Sequence, residues 1–152
     1  MIDQSLQHKW QAGFLPCIDG IVFGDGKVIV ANTYTIKNHE TKEQKYYWSA
    51  LCDSSLQSFE TYNDDLWVSV DIYKGEIAYK DQTIVFGDGS MGHEGFVASV
   101  DQHNQLNWAL FFTFTNPIMS AKIENHTLVC LSEIDMVISI DLHDLTRIKI
   151  NN

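Results

Sequence analysis

An all-β fold with little helix is predicted by two features of the chain. Apolar and polar residues alternate with a period of two over most of its length, whereas recurrence at i, i+3 and i+4 is scarce. The hexapeptide Ile-Val-Phe-Gly-Asp-Gly also occurs twice, from Ile21 and from Ile84, 63 residues apart. Self-similarity at such a spacing marks repeated supersecondary units. Together these features predict antiparallel meanders from an internal duplication, either incomplete β-propeller-like or sandwich-like. Residues 1–152 read as a single β-rich domain with repeat units at 18–80 and 81–150.

Each element follows from its local pattern. Residues 27–36 are dominated by β-branched and aromatic side chains and follow the turn signal Gly24-Asp25-Gly26, which predicts a strand. Residues 46–52 predict its hairpin partner across the polar loop 37–45. In 66–73, Leu66, Val68, Val70 and Ile72 alternate with Trp67, Ser69, Asp71 and Tyr73, predicting one strand with an aliphatic face. Lys74-Gly75 turns the chain into a strand at 76–80, and Asp81-Gln82 leads to another at 83–86 that Gly87-Asp88-Gly89 closes. Strands at 95–100 and 106–114 flank a polar turn, and 118–123, 127–131, 136–140 and 147–150 complete the set. Pro16 and Pro117 stand at the edges of apolar runs, where proline is compatible with a sheet. Helix is confined to a turn or two within 4–12 and a cap-like start at 53–59.

Composition limits the function classes. A chain of 152 residues buries about 70% of the surface that its unfolded form exposes, so one core is expected. Hydrophobic residues at 45% and aromatics at 12% exclude the signature of disorder. Twenty acidic residues against ten basic ones leave a net charge of −10, a field that repels phosphate backbones and attracts basic partners. Direct nucleic-acid binding is therefore disfavoured. The N-terminus has no basic segment followed by an apolar stretch, and no window approaches the ~18 apolar residues of a membrane span. The expectation is a cytoplasmic protein without membrane contact. Cys17, Cys52 and Cys130 are odd in number, far apart and set among apolar neighbours, which predicts buried reduced thiols. His8, His39, His103, His126 and His143 fall mostly in polar turns and read as solvated.

Two stretches carry candidate site residues. Residues 87–95 are glycine-rich and contain Asp88, His93 and Glu94, the polar groups of a small-ligand module or enzyme if the loop holds a ligand. That stretch lacks the Gly-Lys-Ser/Thr ending of a phosphate loop, and its glycines read as turn residues with positive φ. His93-Glu94 is too short for a zinc signature, and no serine stands in a nucleophile elbow, so no catalytic residue, metal or cofactor is assigned. The second stretch is the densest mixture of acids and aromatics: Phe59, Glu60, Tyr62, Asp64, Asp65 and Trp67, with Asp53 nearby. Aromatic anchors ringed by charge predict a partner-binding surface, to which His93 and Glu94 are added as the insertion that distinguishes the second unit.

Gly95-Phe96-Val97-Ala98-Ser99-Val100-Asp101 followed by Leu106-Asn107-Trp108 resembles the blades of quinoprotein-like and WD-type propellers, and Met136-Val137-Ile138-Ser139-Ile140-Asp141-Leu142 repeats the first part. Closed propellers take typically about 4–8 blades. The chain has room for two or three such units, hence an incomplete stack. Taken whole, a small acidic β-rich chain with long polar loops at 37–45 and 53–65 and no catalytic constellation resembles immunity proteins of interbacterial contact-dependent growth inhibition systems. That resemblance implies a protein that is not an enzyme, takes no cofactor, and binds and neutralises a cognate toxin domain, in particular a basic nuclease.

Overall fold

The computed structural model describes residues 1–151. Helix α1 (Gln4–Gln11) starts at Asp3, whose side chain accepts the Leu6 N–H, and leads to β1 (Phe14–Pro16) and β2 (Gly20–Phe23). A long hairpin follows, β3 (Lys27–Lys37) and β4 (Gln44–Ser55), then helix α2 (Leu56–Tyr62), capped by the Ser55 hydroxyl. Short strands β5 (Trp67–Ser69), β6 (Asp71–Ile72) and β7 (Ile77–Tyr79) precede the meander β8 (Gln82–Asp88), β9 (Gly95–Val100) and β10 (Leu106–Phe112). The chain ends in a second meander, β11 (Ile118–Glu124), β12 (Thr127–Ser132), β13 (Val137–Asp141) and β14 (Asp144–Asn151).

A central antiparallel sheet runs β4-β3-β2-β10-β9-β8, with β6 and β7 both pairing along the free edge of β8. β11 to β14 form a separate four-stranded sheet, and β1 pairs only with β5. Side-chain alternation in the central strands feeds two cores. Val22, Val85, Phe96, Ala98, Ala109 and Phe111 point to one side, against Leu6 and Trp10 of α1, Leu15 of β1 and Leu56 of α2. Ile21, Ile84, Phe86, Val97, Leu110 and Phe112 point to the other, against Ile118, Leu128, Ile138, Ile140 and Ile148 of the four-stranded sheet. A sheet covered on both faces buries side chains of either phase, which is why all six residues of β9 are buried, including Ser99, whose hydroxyl donates to Gln82. Of the two arrangements left open by the sequence, the structure adopts the sandwich-like one, with sheets that face each other and do not close into a barrel.

Several local expectations are corrected. Residues 66–73 are not one strand: β5 pairs with β1 while β6 joins β8, and the chain changes partner at Val70, whose N–H reaches the Gly13 carbonyl. Leu66 is accordingly buried and Ile72 is 52% exposed. β8 does not stop at Phe86 but continues through Gly87 and Asp88, because both still have partners on β6 and β9. The stretch 53–65 is not a long loop: Asp53, Ser54 and Ser55 still pair with β3 at the end of the β3–β4 ladder, and α2 occupies most of the remainder. Cys17, Cys52 and Cys130 are all free thiols, but only Cys130 is buried, while Cys52 is exposed on the β4 edge strand.

The two hexapeptides share a strand phase, Ile21 and Ile84 facing one core and Val22 and Val85 the other. Gly24 lies in the β2–β3 turn that the sequence predicts, whereas Gly87 lies within β8. Neither Gly24 nor Gly87 has a positive φ; instead a neighbouring strand lies where a side chain would start, at the Leu106 carbonyl for Gly24 and the Asp71 carbonyl for Gly87. Close backbone approach is what excludes a Cβ at both positions. Only the first copy turns at once, through Gly26 with φ 90°.

Candidate functional site

The acidic and aromatic residues of the second candidate stretch are carried by α2 and the turn after it. Ser55 accepts the Ser58 N–H at 3.2 Å, which starts the helix, and the Asn63 side-chain amide donates to the Phe59 carbonyl at 2.8 Å, which ends it. Leu56 and Phe59, one turn apart, face the core beneath. That phase leaves Glu60, Tyr62, Asp64 and Asp65 exposed, with Tyr62 at 83%. Trp67 is half-buried in the same core, and the Lys9 ammonium lies 5.5 Å from its ring centroid. Asp53 is exposed one element upstream, opposite Ile29. Among the described residues no Lys, Arg or His forms an ion pair with Asp53, Glu60, Asp64 or Asp65. The result is a patch of uncompensated carboxylates around one projecting tyrosine. Phe59 and Trp67 support it from below.

The glycine-rich stretch is organised inward. Glu94 is only 3% exposed, and its carboxylate accepts the Cys17 thiol at 3.4 Å and the Met91 N–H at 3.4 Å. Burial, followed by the Glu94 charge and hydrogen bond, pushes the Cys17 thiol up from 9.0 to about 11. Asp88 accepts the Tyr73 hydroxyl at 2.8 Å. His93 is exposed, its Nδ1 3.2 Å from the Met91 carbonyl oxygen. Asp88 thus bonds to Tyr73, whereas His93 and Glu94 both engage the backbone of Met91 and Glu94 also holds Cys17, and the Glu94 side chain is not presented to the surface. Gly92, with φ 80°, is the only glycine of the stretch in the left-handed region.

Two further arrangements depend on pairings that the sequence does not display. The β3–β4 hairpin stacks Tyr34 on Tyr47 at 5.0 Å and Tyr46 on Phe114 at 5.6 Å, and a groove of about 510 Å³ separates Tyr46, Tyr47 and Trp48 from Ile148 and Ile150. At one end of the four-stranded sheet, His126, Asp141 and His143 come together. Sequence pattern assigns those histidines to solvated turns; what unites them is the register Thr127 opposite Asp141. No protein-family model matches the chain, and no curated protein matches it. No helix among the described residues is long and apolar enough to cross a membrane.

Proposed function

We propose that this chain is a protein-binding inhibitor of the immunity type, which neutralises a basic toxin domain, in particular a nuclease, by covering its anion-binding cleft. The observation that carries this reading is the α2 patch: Tyr62, 83% exposed, among Glu60, Asp64 and Asp65, whose carboxylates form no ion pair among the described residues. Unpaired surface acids cost little in water and gain once a basic partner supplies the cations. A large aromatic held out at low entropic cost is the side chain that most often anchors an interface. The net charge of −10 adds long-range steering toward a positive cleft and works against nucleic acid as a direct ligand. On this reading the protein acts in the cytoplasm, where such a toxin meets its substrate, and it needs neither catalysis nor a cofactor.

The test is to express the product of the adjacent open reading frame with and without this chain. The expected result is toxicity relieved by co-expression, together with a complex whose association rate falls steeply with added salt. Tyr62→Ala should weaken that complex by about 2 kcal/mol, roughly 30-fold. A neighbour that is harmless alone and forms no complex with this chain overturns the reading.

A further inference from the structure

We infer that His126, Asp141 and His143 form a binding site for a borderline divalent transition ion of the zinc, copper or nickel type. The three residues come from two adjacent turns at the same end of the four-stranded sheet. His126 lies in the β11–β12 turn, which Asn125 makes with φ 58°, while Asp141 closes β13 and His143 sits in the tight turn into β14. The backbone fixes them against one another. Leu142 N–H donates to the His126 carbonyl at 2.8 Å, and His143 N–H donates to Asp141 Oδ1 at 2.8 Å. The two imidazoles are parallel, with centroids 4.3 Å apart and planes within 6°. His126 Nε2 lies 3.9 Å from Asp141 Oδ1, and one ligand atom from each residue falls within 4.8 Å of the others.

The donor set defines the ion. Two imidazole nitrogens and one carboxylate suit zinc, copper or nickel, whereas calcium and magnesium take oxygen ligands. Metal bonds of about 2.0–2.1 Å require the donors to draw closer, and the side chain of His126, 47% exposed, must shift within its stack on His143 to do so. Asp141 Oδ1 is engaged by the His143 N–H, and Oδ2 receives no hydrogen bond among the described residues, so it remains open for coordination. Three protein ligands leave a fourth position for water or an external donor. The site lies on the four-stranded sheet, whereas α2 packs into the core on the opposite face of the central sheet, so it stands or falls independently of the proposed partner surface.

The test uses the full chain stripped of metal and titrated calorimetrically with Zn²⁺. One equivalent is expected to bind, with affinity lowered by about tenfold or more in His126→Ala and in His143→Ala. Both substitutions fall in exposed turns, and circular dichroism would verify their fold. Ni²⁺ or Co²⁺ added to the wild-type protein should broaden amide resonances of 125–127 and 141–144 before all others. That measurement decides the question even if a variant misfolds. Absence of stoichiometric binding, wild-type affinity in both variants, or broadening centred on His8, His39, His93 or His103 overturns the assignment.

Discussion

The side-chain amide of Gln7 pairs with the backbone of Leu106 as a neighbouring strand would: its Nε2 donates to the Leu106 carbonyl at 3.0 Å, and its Oε1 accepts the Leu106 N–H at 2.7 Å. Gln7 is 4% exposed and Leu106 2%, so no water can replace either bond. Leu106 begins β10 where its pairing with β9 is irregular, and the amide joins helix α1 to that point.

Replacing Gln7 with leucine should therefore destabilise the protein by about 2–3 kcal/mol, since a buried N–H and a buried carbonyl both lose their partner. Gln4→Leu, at an exposed position of the same helix, should change stability by less than about 0.5 kcal/mol. Urea unfolding of the two variants beside the wild type measures the difference. Equal midpoints would show that the amide pairing contributes nothing.

The Gln7 pairing also illustrates why α1 is faint in the sequence. Its buried face is Leu6, Gln7 and Trp10, and an amide on that face breaks the apolar stripe that periodicity detects. Strands such as β3, β4, β9 and β12 were legible because their alternation or unbroken burial is a local property of the residues. The division of 66–73 between β5 and β6 was not, because nothing in Val70 itself reveals that the flanking residues pair with different sheets. Likewise Tyr62 with its acids could be read from one short segment. The Cys17–Glu94 contact joins positions 77 residues apart, and His126, Asp141 and His143 meet only through strand register.

The first glycine of the repeated hexapeptide makes a second prediction. A methyl group at Gly87 would overlap the Asp71 carbonyl, which is backbone and cannot swing aside, so Gly87→Ala must push β6 away from β8. A loss of about 3 kcal/mol or more is expected. Gly92 has φ 80° with nothing within 4 Å of its would-be Cβ, and asparagine tolerates that region, so Gly92→Asn should cost less than about 0.5 kcal/mol. Thermal denaturation of both variants distinguishes close approach from turn geometry as the reason for the glycines. Similar losses at the two positions would refute the distinction.

Thiol chemistry separates the three cysteines. Cys52 is exposed and should react promptly with a disulfide reagent in the native protein, Cys17 slowly, and Cys130 only on unfolding. Burial raises Cys130 from 9.0 to about 12, and burial with the Glu94 charge raises Cys17 to about 11. A thiol whose folded pKa is raised favours the folded state below its unfolded value, and that advantage disappears as pH climbs through the folded value. Stability should thus hold below pH 9 and fall between pH 9 and about 12. Cys17→Ser, which removes the titrating thiol and keeps a donor for Glu94, should shrink the fall between pH 9 and about 11. An unchanged slope in that variant would assign the alkaline loss to other groups.

Charge reversal on the α2 patch examines the partner surface without disturbing the fold. Glu60, Asp64 and Asp65 are exposed and form no ion pair among the described residues, so changing each to lysine should leave the unfolding midpoint unaltered. Binding to a basic partner should respond in kinetics rather than in contacts. Each reversal changes the charge by two units, which lowers the association rate and flattens its dependence on salt, while dissociation changes less. Tyr62→Ala should behave in the opposite way, accelerating dissociation and leaving the association rate nearly intact, because an aromatic anchor acts after encounter. The contrast matters more than either variant alone, since general misfolding would reduce active protein in both and alter neither rate constant. Surface-resonance kinetics at two salt concentrations separate the outcomes. If Asp25→Lys, in the β2–β3 turn outside the patch, slows association as much as the α2 reversals do, the protein's overall charge rather than this patch steers the partner.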